Sequence, residues 1–128
     1  MKFFSRKWVK PEDLNAYNTL FGGRLLAWID EEAAIYSKCQ LESKSVVTKY
    51  ISEINFVSSA VHGDVVEIGL ETIAFGTTSI SMRCVARNKM TKEEIIRIDK
   101  IVFVLLGENG QPAPHGKTMA DIKGVQEE

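Results

Sequence analysis

Hydrophobic positions along the chain follow two periods, and the switch between them places the elements. Between Arg24 and about Gln40, the residues Leu25, Leu26, Ile29, Ala33 and Tyr36 recur at the spacing of an amphipathic helix. Trp28, Ile35 and Cys39 widen that stripe to nearly half the circumference, which predicts burial against more than one surface. On the same wheel Asp30 falls at the edge of the stripe, Glu31 well outside it and Glu32 within it. The helix starts at the pair Gly22-Gly23 or one residue later. Its first turn leaves backbone N–H groups without intrahelical acceptors.

The rest of the chain reads as strand. Phe3 to Val9 forms a short first strand that Pro11 stops, because proline lacks the ladder donor. Asp13, Asn15 and Asn18 then mark an irregular segment as far as Leu20. After the helix, Val46 to Phe56 alternates and is rich in β-branched and aromatic residues, predicting one long strand. A second runs from Val65 to Phe75, where Gly76 breaks it. From Ser79 to Asn88 the apolar set Ile80, Met82, Cys84 and Ala86 alternates with polar positions. The last strand, Glu94 to Leu106, ends in a continuous apolar run that predicts a central strand covered on both faces. Beyond the turn at Gly107–Gly110, two prolines and a polar tail need no ordered structure.

Lengths limit the architecture. A helix of about seventeen residues spans roughly 25 Å, whereas strands of about eleven to thirteen residues span roughly 36–44 Å. Long antiparallel strands twist and can curl around one shorter helix. The expected class is α+β, a curved antiparallel sheet wrapped around one central helix. One sheet cannot cover so wide a stripe, so at least a dimer is expected.

Composition narrows the function. The 128 residues suit a single domain, which we place at residues 1–118 with a charged tail at 119–128. The hydrophobic content of 45% and charged content of 26% are those of an ordinary soluble protein. A net charge of −1 argues against a general electrostatic grip on nucleic acid or an anionic membrane. Cys39 and Cys84 lie far apart without a CxxC spacing, so no zinc or disulfide framework is expected, and both read as buried apolar residues in a reducing compartment. The N-terminus carries no signal-peptide pattern, and no window of about twenty residues escapes charge. A cytoplasmic location is the expectation.

Four stretches, in this order and spacing, resemble the hotdog-fold acyl-CoA thioesterases, specifically the acyl-CoA hydrolase branch with short bacterial members. They are Val9–Asn15 running into Phe21–Asp30, Val46–Thr48 leading to Phe56, Gly63–Val66 followed by Gly76–Ser79, and Phe103–Leu105 leading to Gly110–Pro112. The resemblance implies a helix held in the sheet, protomers that join their sheets as a homodimer, active sites across the dimer interface, and a trimer of dimers. It implies an acyl-CoA substrate, coenzyme A being part of substrate and product, and no separate cofactor or metal. Nucleic acid and membrane are not expected partners. This chain departs from the family's pattern at Asn18, where glycine is common, at Ser58-Ser59, where a proline is common, and at Glu32, where a small residue is usual.

Thioester hydrolysis needs a deprotonated water or an attacking carboxylate, and a stabilised oxyanion. By the resemblance, Asp30 supplies the general base or nucleophile, a role worth about 10²–10⁴ in rate. Without it, a helix-edge aspartate reads as a solvated acid. Gly22 offers its backbone N–H as oxyanion donor at the positive end of the helix, a contact worth roughly 10²–10³. Gly23 beside it lets a thioester approach the backbone. Asn15 positions water or the thioester oxygen, against the simpler reading of a turn former. Gly76, Thr77, Thr78 and Ser79 present backbone and hydroxyl groups to the amide-rich pantetheine arm, and Phe56 shapes the acyl tunnel. Arg24, unfavourable at a helix start, invites a carboxylate or phosphate. A dehydratase on the same fold would pair an acid with a histidine, yet His62 and His115 fall in a turn and the tail. The non-enzymatic alternative is an acyl-CoA-binding regulator.

Overall fold

In the computed structural model, which describes residues 1–123, six strands and one long helix follow in the expected order. Strand β1 covers Lys2–Trp8, helix α1 Gly22–Leu41, β2 Val46–Ile51, β3 Ile54–Phe56, β4 Val65–Phe75, β5 Ser79–Asn88 and β6 Glu94–Leu105. All pairings are antiparallel, in the spatial order β1-β4-β5-β6-β2, with β3 continuing beyond β2 along β6.

Register places whole rows of side chains beneath the helix. Leu70 lies opposite Cys84 and Cys84 opposite Ile98; one row on, Thr72, Met82 and Ile101 align. Against these pack Leu25, Ile29, Ala33 and Tyr36 of α1, all buried. Each fully buried aliphatic side chain contributes about 1.5–3 kcal/mol. Thr72 is the one polar member of its row, and its hydroxyl is satisfied by Tyr36 Oη at 2.7 Å. Burial of that phenol raises its pKa, because the anion has no water to solvate it. Cys84 is likewise pushed up to about 12 by burial, so it is an inert core thiol.

The expected single strand from Val46 to Phe56 divides at Ser52-Glu53. The Ser52 hydroxyl accepts the Lys100 N–H at 3.1 Å, a bond that a ladder carbonyl would otherwise accept. Pairing stays in step on either side, Ile51 with Ile101 and Ile54 with Ile98, so β2 and β3 form one interrupted strand. The end of β6 is interior as expected, paired with β5 on one edge and β2 on the other, but it is not covered on both faces: Val102 and Leu105 remain only half-buried.

The helix stripe is buried on one side only. Trp28 is half-buried, Ile35 is 49% exposed, and Cys39 is exposed rather than buried as its apolar neighbours suggested. Glu32 sits half-buried in a groove between α1 and β1, beside Phe4, Tyr36 and Leu70.

The tail is held in place as far as residue 123. Residues 119–121 form a 3₁₀ turn whose N-cap, Thr118, accepts from Ala120 N. Gln40 near the end of α1 then pairs with both backbone groups of Lys123, at 2.8 and 3.0 Å. Ordering continues past the boundary set at residue 118, because side chains of α1 supply partners that no local pattern announces. The remainder of that tail, 124–128, lies outside the described residues. No helix among those described is long and apolar enough to cross a membrane.

Candidate active site

The loop that feeds α1 is built around a buried acid. Asp13 is 4% exposed; its carboxylate accepts from Lys10 N at 2.9 Å and meets Arg24 Nε at 3.4 Å, while its carbonyl accepts from Phe21 N. The carboxylate expected near Arg24 is therefore one of the protein's own, and it offsets a cation at the positive helix end. Asn15 closes the next turn: its Oδ1 accepts from Tyr17 N at 2.8 Å and Thr19 N at 3.1 Å, and Nδ2 donates to Thr19 Oγ1. Asn18 takes the left-handed conformation, φ 62°, which asparagine tolerates where the family often has glycine. Leu20 N donates to Ala60 O, tying this loop to the one after β3. That second loop, where serines replace a proline, is held at Ser58, whose hydroxyl donates to Glu94 O at 2.5 Å.

Between the two loops lies a cleft of about 340 Å³ whose walls include Asn15, Thr19, Gly22, Phe56 and Ser59. Phe21, the N-cap, provides no side-chain cap, and its carbonyl accepts from Arg24 N and Leu25 N. The N–H groups of Gly22 and Gly23 are left without an acceptor among the described residues. An added Cβ at Gly22 would come within 3.2 Å of the Phe56 ring, so glycine is what lets that ring close the cleft. Three of the predicted residues, Asn15, Gly22 and Phe56, thus share one site. Gly23 turns away, against the ring of Phe21.

Asp30 belongs elsewhere. Eight residues of helix separate it from Gly22 by about 12 Å. Its Oδ1 accepts a hydrogen bond of 2.7 Å from Thr48 Oγ1 on β2. Thr48 received no role in the sequence reading; its only signal was its place in the Val46–Thr48 stretch. The turn Gly76–Ser79 joins β4 to β5, and Thr78 shares a shallow depression of about 380 Å³ with Thr48, Val47 and Lys49. Within one chain the predicted residues therefore form two groups: an N–H-lined cleft at the helix start, and an acid, a hydroxyl and a turn along the β2 edge.

The charge of Glu67 is accounted for structurally. Burial alone would disfavour the Glu67 carboxylate, yet Arg87 at 2.6 Å and the nearby Lys92 hold it below the usual range. The described residues contain no grouping of three or more His, Cys, Asp or Glu side chains able to hold a metal.

Comparison with known proteins places these observations in a family. The thioesterase superfamily model matches residues 17–95. An uncharacterized acyl-CoA thioester hydrolase of Bacillus subtilis, YkhA, is 32% identical over 83% of this chain; the match spans 63% of that protein's length. The acyl-CoA thioester hydrolase YciA of Salmonella typhimurium is 32% identical over 81% of this chain and 82% of its own. Among solved structures, a hexameric thioesterase from Yersinia pestis superposes with a TM-score of 0.81 at 25% identity, over 88% of this chain and 93% of that one. The single long helix in a curved antiparallel sheet is the hotdog fold, and the chain belongs to the thioesterase superfamily.

Proposed function

We propose that the protein hydrolyses the thioester of acyl-CoA to free acid and coenzyme A, in sites that two copies of the chain build together. The observation that carries the second half is a distance. A water attacking a thioester carbonyl must lie about 3 Å from its base while the carbonyl oxygen lies about 3 Å from its donor. The 12 Å or so between Asp30 and Gly22 along one helix is too long for both tasks at one carbonyl. A second copy placed along the β2 edge supplies the missing half. That edge is apolar and uncovered: Val47, Tyr50, Phe56 and Val57 are all more than 40% exposed, as is Phe21 at the helix start.

In this arrangement the thioester oxygen sits against the Gly22 N–H, and its developing charge is met by the positive end of α1. Asn15 keeps a second Nδ2 hydrogen for the water or the oxygen once Thr19 has taken the first. Asp30 of the other copy removes a proton from water, whose oxygen forms the new bond to carbon as the carbon–sulfur bond breaks. The proton then passes to the departing thiolate. Thr48 holds one carboxylate oxygen, which turns the other toward the reacting water. Gly76–Ser79 grips the pantetheine arm, and the Phe56 ring lines the acyl channel. The relatives' names and the hexameric assembly of the Yersinia pestis protein support this reading.

The test is thiol release from a panel of acyl-CoAs by the parent and by Asp30→Asn. The expected loss in turnover is about 10² or more. Equal release by both would remove Asp30 from the reaction, and tight acyl-CoA binding with no release by the parent would favour the non-enzymatic regulator.

A further inference from the structure

The tail after β6 is fastened to the β4–β5 turn through one imidazole. His115 Nδ1 lies 2.9 Å from Lys117 N, and Nε2 lies 2.8 Å from Ser79 O. A backbone amide can only donate, so Nδ1 is the acceptor and the ring proton resides on Nε2, which donates to the Ser79 carbonyl. The backbone N–H of the same residue donates to Thr77 O at 3.2 Å. The ring also stands edge-on to Phe75, with centroids 5.5 Å apart. One residue therefore holds the middle and the far end of Gly76–Ser79 and packs on Phe75, the residue just before it.

Consider what this does to the turn. Ser79 O accepts from Gly76 N at 3.0 Å as well as from His115, and Thr78 O accepts from Leu105 N at 2.8 Å. With the carbonyls of Thr77, Thr78 and Ser79 all engaged, the groups left without an acceptor among the described residues are the N–H groups of Thr77 and Thr78. Two amide donors without an internal partner, beside two threonine hydroxyls, complement a ligand arm rich in amide carbonyls. Beyond His115 the tail is secured again, by Lys117 Nζ on Glu42 at 2.7 Å and by Lys123 on Gln40. The imidazole is thus held from the tail side while it holds the turn.

We propose that His115 is a positioning residue for substrate: it fixes the Gly76–Ser79 turn in the conformation that grips the pantetheine arm of acyl-CoA. This rests on the reading of that turn as the arm's binding segment. His115 acts on affinity for the coenzyme portion and not on the chemical step, which takes place at the helix start.

Steady-state kinetics on acyl-CoA and on the N-acetylcysteamine thioester of the same acid, which keeps only the last part of the arm, test it. Glutamine can place a donor near the Nε2 position and reach Ser79, whereas asparagine can replace Nδ1 but stops short of that carbonyl. His115→Ala and His115→Asn should raise KM for acyl-CoA about tenfold with kcat within about twofold, the loss expected for one such hydrogen bond. His115→Gln should stay close to the parent, and the short thioester should respond to none of them. Equal KM values for the asparagine and glutamine variants, or an equal rise with the short thioester, would overturn the proposal, and this comparison stands even if the alanine variant does not fold. Gly76→Pro, which removes the N–H that donates to Ser79 O across the turn, distorts the turn directly. Unchanged acyl-CoA KM in that variant removes the reading of the turn itself. A raised KM there, with no effect at His115→Asn, leaves that reading intact and discards the role of His115.

Discussion

Asp30 and Thr48 show how a residue's part is settled by its partner. On a helical wheel Asp30 is an edge acid like many others. In the fold it is the acid that a strand hydroxyl singles out, at 2.7 Å. A hydrogen bond to a charged group contributes about 1.5–3 kcal/mol, so if Thr48 orients the base, Thr48→Val should lower kcat about tenfold or more with KM little changed. An unaltered kcat would mean the carboxylate finds its orientation without that hydroxyl. Asn15 carries two readings at once, because its side chain is the hub of its own turn and still faces the cleft. Replacing it therefore changes loop shape as well as any contact to substrate.

At the scale of elements, the C-terminal end of α1 is stabilised by charge. Glu42, in the left-handed C-cap conformation with φ 55°, meets the ammonium groups of Lys117 and Lys123. Hydrogen bonds from the two lysines, then their charges, lower its pKa from 4.5 to about 2. A carboxylate with a depressed folded-state pKa stabilises the fold above its unfolded value and loses that contribution as pH falls through the folded one. The tail latch should therefore weaken between about pH 4.5 and 2, read as exchange of the Lys123 and Ala120 amides, and Glu42→Gln should flatten that dependence. Amide protection that falls equally in both proteins would locate the titrating group elsewhere. Helix α1 itself was legible from its stripe, as were β4 and β5 to the residue, since alternation and the Gly76 break are local signals. The division of β2 from β3 was not, because it comes from a hydroxyl meeting a backbone amide forty-eight residues away.

At the scale of the whole molecule, the claim that two copies share each site has a direct test in mixed assemblies. Asp30→Asn and Asn15→Ala proteins, each inactive alone, should regain activity when unfolded and refolded together. Random pairing makes about half of the dimers mixed with one intact site in two, hence about a quarter of parental turnover for a two-fold interface. No recovery despite demonstrated subunit exchange would place the site within a single chain. Gel filtration gives an independent check, because a 14.3 kDa species at micromolar concentration contradicts a shared site.

Sequence by itself determined the helix, five strand segments and their order, the α+β class and the face of α1 that turns inward, because each is written in local periodicity and turn residues. By resemblance it also named Asn15, Gly22, Phe56 and Asp30. Tertiary structure alone decided which of these meet. Asn15, Gly22 and Phe56 converge because two loops far apart in the chain are tied by Leu20 N to Ala60 O, whereas Asp30 is carried away by the rise of its own helix and given to Thr48. The same holds for His115, a lone histidine in a proline-containing tail until Ser79 and Lys117 meet its two nitrogens. Hydrogen bonds and register across the sheet join residues by position in space, and no local pattern along the chain encodes them.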